Sequence, residues 1–206
     1  MNKIITIILI FLTSFSFAQS YVIDYNNVSK RNKEMLKELL LKKKDNSYYD
    51  INDNNFWVFL YDLAVIESNG VWVAKNGDHI GLWQMGKMAR KDAIDISKHK
   101  FNHQINEFES KEFVKNPFIF TPEKQKIHIC YYMINIQEVM SKYINQYENT
   151  FINGVYITKS GIVGASHLVG VGSVKEYFDS NGEKIKKDGN DTSLEKYLIL
   201  FWDYNF

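Results

Sequence analysis

The stretch AVIESNGVWVAKNGDHIGLWQMG, residues 64–86, decides how this chain is read. It opens on the end of a largely apolar run, residues 56–66, and that run exits on an ionisable side chain, Glu67. Phe56, Leu60, Leu63 and Glu67 fall at helical spacing, so the carboxyl shares a face with three large apolar groups. Ser68, Asn69 and Gly70 then break the run, and Gly70 suits a helix stop. Residues 71–74 are apolar, Asn76-Gly77 is a hairpin-turn pair, and Gly81-Leu82-Trp83-Gln84 follows. The expected picture is a buried helix over 56–68 that delivers one carboxyl group to the edge of a cleft, with a small hairpin as the opposite wall. Burial and the negative end of the helix dipole both disfavour a carboxylate there, so the Glu67 pKa is expected to rise. A carboxyl that stays protonated near neutral pH can serve as a general acid. The other reading of the same pattern is a surface glutamate at a fraying helix end.

The segments Glu67-Ser68-Asn69-Gly70 and Gly81-Leu82-Trp83-Gln84, with Gln84 seventeen positions after Glu67, resemble the signature of the lysozyme-like superfamily, in particular the soluble lytic transglycosylases. A second resemblance, to the C-terminal half of bacterial peptidoglycan-cleaving proteins of this group, lies in Ser160-Gly161-Ile162-Val163-Gly164-Ala165-Ser166-His167-Leu168-Val169-Gly170, then Asp188-Gly189-Asn190, then a last helix at Tyr197. Two positions depart from the family pattern. Asn69 stands where Gly or Ser is common, and Ala165-Ser166-His167-Leu168 replaces an aromatic-Asn-Ala-Gly element.

The resemblance implies a mainly α, lysozyme-like (lytic transglycosylase-type) helical domain with a small β-hairpin beside the cleft. It implies an enzyme that breaks the β-1,4 bond between N-acetylmuramic acid and N-acetylglucosamine, with Glu67 as general acid/base. Ser68, Gly81, Trp83, Gln84, Tyr156 and His167 are the expected substrate-binding residues. Gly81 leaves room for close approach, and Gln84 could bond an N-acetyl group or position water. Trp72 and Trp83 read equally as sugar platforms or as core. His167 reads as a cleft residue or as a packed, hydrogen-bonded histidine. Glycosidases commonly need a second carboxylate, and Asp78 is the one close candidate in the loop region after Glu67. Lytic transglycosylases manage with one acid/base residue, the 6-hydroxyl of the sugar displacing the bond, so the reading leans toward that reaction. No cofactor and no metal is expected, and the expected partners are peptidoglycan glycan strands. The alternatives are a non-catalytic glycan-binding protein that keeps the fold, or a hydrolytic lysozyme- or chitinase-like glycosidase.

Composition agrees with a folded domain. Of 206 residues, 45% are hydrophobic and 15% aromatic, enough for a core. A net charge of +1 gives no electrostatic case for nucleic acid. Residues 1–18 read as a secretory signal peptide: Lys3, an apolar core over 4–12, and Ser16-Phe17-Ala18 before Gln19. The expected product is exported, periplasmic or secreted, with no stable membrane insertion after cleavage. Cys130 is the sole cysteine, so no intrachain disulfide can form. Residues 19–52 hold an N-terminal helix, about 28–44, and a linker; residues 53–206 form the catalytic domain.

The remaining pattern is helical. Residues 87–97 read as a helix with Met88, Ala93 and Ile94 inward. His99, His103 and Glu107 are each four apart, which is metal-ligand spacing on a helix but more commonly a solvated face. Thr121-Pro122-Glu123 starts a helix that runs to about Tyr147, and Asn153-Gly154 turns the chain. The glycine-rich helix over 161–168 should pack closely on the central one. Residues 173–178 form a short helix, and Thr192 with Glu195 forms a capping box for the last.

Overall fold

The computed structural model describes residues 23–42, 54–189 and 191–206. The expected signal segment 1–18, the linker up to Asp53 beyond residue 42, and Asn190 lie outside the described residues. The described residues are mainly helical, with two small antiparallel hairpins. In chain order the elements are α1 (Lys30–Leu36), a π-helical turn (Lys37–Lys42), α2 (Asn54–Ser68), β1 (Lys75–Asn76), β2 (His79–Ile80), α3 (Lys87–Phe101) and α4 (Ser110–Lys115). A 3₁₀ turn (Pro117–Phe120) leads into α5 (Pro122–Val139) and α6 (Ser141–Tyr147). The chain ends with β3 (Phe151–Ile152), β4 (Val155–Tyr156), α7 (Lys159–Val169), α8 (Val171–Asp179) and α9 (Leu194–Leu200).

Helix α2 is the core helix. Phe56, Trp57, Phe59, Leu60, Leu63, Ala64 and Val65 are all buried, on more than one face. This is what a sequence apolar nearly all round requires. Phe59 meets the rings of Phe201, Tyr204 and Phe206 from the C-terminal segment. The one acid in the middle of the helix, Asp62, is buried and fully engaged. Its two oxygens accept hydrogen bonds from Tyr25 and Tyr204, each at 2.6 Å. That carboxylate ties both ends of the described chain to α2.

The end of α2 is fixed from two sides. Asn69 and Gly70 turn into the left-handed region, with φ of 52° and 69°, and their N–H groups reach back to Val65 and Ala64. A side chain at Gly70 would meet Leu36 and Asn32 of α1, so the stop also seats α1. On the other side the Ser68 hydroxyl donates to the Leu82 carbonyl at 2.8 Å.

Several expectations shift. In the first hairpin Asn76 pairs with His79, so the two turn residues are Gly77-Asp78, one position later than expected. Gly77 supplies the positive φ of 58°. Helix α3 runs to Phe101, but Met88 points outward, 67% exposed, while Ala93 and Ile96 face the core. The long helix after Pro122 is interrupted at Met140. Asn153-Gly154 makes a second hairpin, with φ of 51° and 80°.

Helix α7 does approach a neighbour closely, but the neighbour is α9. Added side-chain carbons at Gly161 and Gly164 would collide with the Leu198 carbonyl and the Phe201 ring. The cap of α9 is Ser193, whose hydroxyl accepts from the Lys196 N–H, not Thr192. The Thr192 N–H is taken by Asp188 instead, at 2.8 Å. No described helix is long and apolar enough to cross a membrane.

Candidate active site

Glu67 lies in the last turn of α2 with its side chain 16% exposed. Burial pushes its pKa up to about 8, and the nearby Asp188 carboxylate pushes in the same direction. A group with that pKa is mostly protonated at neutral pH. The expected proton donor is therefore present as an acid. Desolvation is the main cause.

The loop Gly81–Gln84 faces this helix end and is held from every side. Ile80 and Met85 exchange backbone hydrogen bonds and close its base. The Leu82 N–H donates to Gln125 Oε1 of α5 at 2.7 Å, and the Leu82 carbonyl accepts from Ser68. Trp83 Nε1–H donates to the Leu60 carbonyl at 2.8 Å. The Trp83 carbonyl accepts from His167 Nε2 at 2.9 Å. Three helices, α2, α5 and α7, thus converge on four residues.

These contacts assign the expected site residues. Ser68 joins the acid's helix to the loop. Gly81 has φ of 82°, and the space a side chain would need is filled by Gln125. Its glycine therefore serves packing against protein. Trp83 is 1% exposed and is core, not an exposed sugar platform. Gln84 stands in the left-handed region at φ 41°, and its amide donates to the Gly81 carbonyl at 2.8 Å within the loop. Trp72 is the partly exposed tryptophan of the pair and packs edge-on to the Phe118 ring at 5.4 Å.

Asp78 is not among the groups that shift Glu67. Its carboxylate accepts from the Ser110 hydroxyl, and that bond together with Arg90, Lys87 and His79 holds its pKa below the usual range. The carboxylate that acts on Glu67 is Asp188, from the segment before α9. Asp188 is fixed by the Tyr197 hydroxyl at 2.5 Å and the Thr192 N–H at 2.8 Å. Sequence spacing could not find it, because the two acids meet only through the packing of the C-terminal helices. Tyr156 lies on the second hairpin, bonded to Asn149 at 2.8 Å and ringed by Phe151 and Trp202. None of its contacts brings it to Glu67.

His167 is brought to the acid. Its Nε2 lies 3.9 Å from Glu67 Oε1, and its ring packs against Tyr132 with centroids 5.8 Å apart. Burial pulls its pKa down to about 4, against the backbone hydrogen bond to Trp83 that favours the charged form. At neutral pH the contact is therefore between a neutral imidazole and a neutral acid, not an ion pair.

Arg90 was not foreseen. It is buried, and it donates to the carbonyls of Phe108, Asp78 and Met85, which pins the hairpin to the loop. Helix α3 ends at Asn102 with φ of 48°, so His99, His103 and Glu107 do not share one helical face. Among the described residues no cluster of three or more His, Cys, Asp or Glu side chains could hold a metal ion. A hollow of about 160 Å³ lined in part by His103, Asn106, Lys124 and His128 lies elsewhere and does not include Glu67. The site is defined by side-chain chemistry rather than by that hollow.

Comparison with protein-family models, with curated proteins and with solved structures found no significant match.

Proposed function

We propose that the protein is an exported enzyme of lysozyme-like fold that cleaves the β-1,4 glycosidic bond of peptidoglycan, as a lytic transglycosylase. The observation that carries this reading is Glu67, a carboxyl with pKa raised to about 8 at the end of a buried helix, locked through Ser68 to the loop that holds Gln84. The acid gives its proton to the glycosidic oxygen, and the bond to the sugar carbon breaks with its electron pair staying on that oxygen. Glu67, now a carboxylate, accepts the proton of the incoming hydroxyl. In the transglycosylase this hydroxyl is the sugar's own 6-hydroxyl, and the product carries an anhydro end.

Asp188 favours a second reading, a hydrolase in which a second carboxylate assists water. Both of its oxygens already accept hydrogen bonds, one from Tyr197 and one from Thr192. Such bonds hold the carboxylate in place and occupy lone pairs that a base would turn toward water. That suits a fixed negative charge better than a proton acceptor, and the transglycosylase reading keeps the preference.

Digestion of purified peptidoglycan followed by mass spectrometry of the fragments tests both. Anhydro ends support the transglycosylase and reducing ends the hydrolase. Binding without any fragment, unchanged in Glu67→Gln, points to a glycan-binding protein and overturns the enzyme.

A further inference from the structure

His167 Nε2 faces two oxygens, the Trp83 carbonyl at 2.9 Å and Glu67 Oε1 at 3.9 Å. A carbonyl oxygen only accepts, so Nε2 carries the hydrogen. The other ring nitrogen, Nδ1, is buried with no hydrogen-bond partner among the described residues, as is the neighbouring Ser166 hydroxyl. A proton added at Nδ1 would therefore be a buried donor with no acceptor. The ring is held as one neutral tautomer by its surroundings, with 4% of the side chain exposed and Tyr132 edge-on against it.

We propose that His167 is a positioning residue for Glu67: its Nε2–H rests on the Trp83 carbonyl while the acid holds its proton, and turns to Glu67 Oε1 once that proton has left. The inference rests on the reading of Glu67 as the general acid. The charged and titratable groups around this pair are Asp188 and Tyr197 on the side of Glu67, and His79 and Tyr132 on the side of His167. Asp188 opposes the new carboxylate, and His79 opposes any positive charge on the imidazole. A neutral N–H is the donor that fits between them. It does not compete for the proton of the resting acid, as an imidazolium would by favouring the carboxylate.

The distance gives the mechanism its sense. At 3.9 Å no hydrogen bond exists in the resting state. Closing by about 1 Å makes a charge-assisted one. The interaction is thus made only as the acid ionises, which lowers the barrier instead of stabilising the resting state. His167 moves no proton. The proton passes from Glu67 to the glycosidic oxygen, and the histidine donates a hydrogen bond to what remains.

Nitrogen-15 NMR of the full protein tests this without any substitution at the histidine. The Nε2–H resonance of His167 should shift with the ionisation of Glu67, at the same midpoint, and should stay fixed over that pH range in Glu67→Gln. A resonance that ignores Glu67 overturns the proposal. A second arm uses folded His167→Ala and His167→Gln. The alanine should raise the Glu67 midpoint by about one unit and lower kcat roughly tenfold with KM kept, and the glutamine, with an N–H at a similar reach, should restore part of both. Equal titration of Glu67 in all three proteins also overturns it. Coupled titration in a protein that cuts no peptidoglycan would retain the histidine–glutamate pair and reject the enzymatic reading.

Discussion

Gln125 and Leu82, 43 residues apart, are joined by a buried hydrogen bond of 2.7 Å from the Leu82 N–H to the glutamine side-chain oxygen. The same amide donates to the carbonyls of Trp72 and Phe120. One side chain of α5 therefore fixes both the loop after Glu67 and the loop beyond the hairpin. Gln125→Ala would leave two buried main-chain groups and one part-buried one without this partner, and a loss of roughly 2–4 kcal/mol is expected. Gly81→Ala strikes the same contact from the other side, adding strain at φ 82°. Its expected cost is about 1–3 kcal/mol. Urea denaturation measures both, and an unchanged midpoint in either variant contradicts the account of this loop.

Glu67→Gln removes the acid and should abolish cleavage while keeping the fold. Its stability effect depends on pH. The folded-state pKa, about 8, stands above the ordinary 4.5, so the native state holds its proton longer than the unfolded chain. That contribution is complete below pH 4.5 and is lost as pH rises through 8. The variant, which cannot ionise, should be more stable than the wild type at pH 9 by on the order of 1–4 kcal/mol, with the gap closing toward pH 5. Denaturation at the two pH values decides it.

Asp188→Asn removes the charge that helps to keep Glu67 protonated. The Glu67 pKa should fall, and the alkaline limb of the activity profile should move to lower pH. The shift should be smaller than the total elevation, because burial is the larger cause. Asp78→Asn should leave that limb in place. A reversed ranking of the two variants would return the second-carboxylate role to the hairpin.

Trp83 and Trp72 separate by substitution. Trp83→Ala empties a fully buried site and removes the hydrogen bond to the Leu60 carbonyl, and a cost of about 3–5 kcal/mol is expected. Trp72→Ala, at a partly exposed position, should cost less. Thermal melts of both variants rank the two costs. Chito-oligosaccharide affinity lost in Trp83→Ala at full stability would restore it as a sugar platform.

The sequence by itself determined the helix that ends in Glu67. Its residues are apolar nearly all round, and only burial satisfies such a surface, so the helix and the perturbed acid were both legible. The start of the helix at Pro122 and the glycine-rich α7 were legible as well, because a proline in the first turn and small side chains act locally. Only the tertiary structure decided what surrounds the acid. Asp188 and His167 lie more than ninety positions from Glu67 along the chain, and the segment before α9 and helix α7 carry them to it. Local pattern specifies which residues are helical and which face is apolar. Which distant charge acts on a buried acid is set by how helices pack, and that is why the charge felt by Glu67 comes from Asp188, far along the chain.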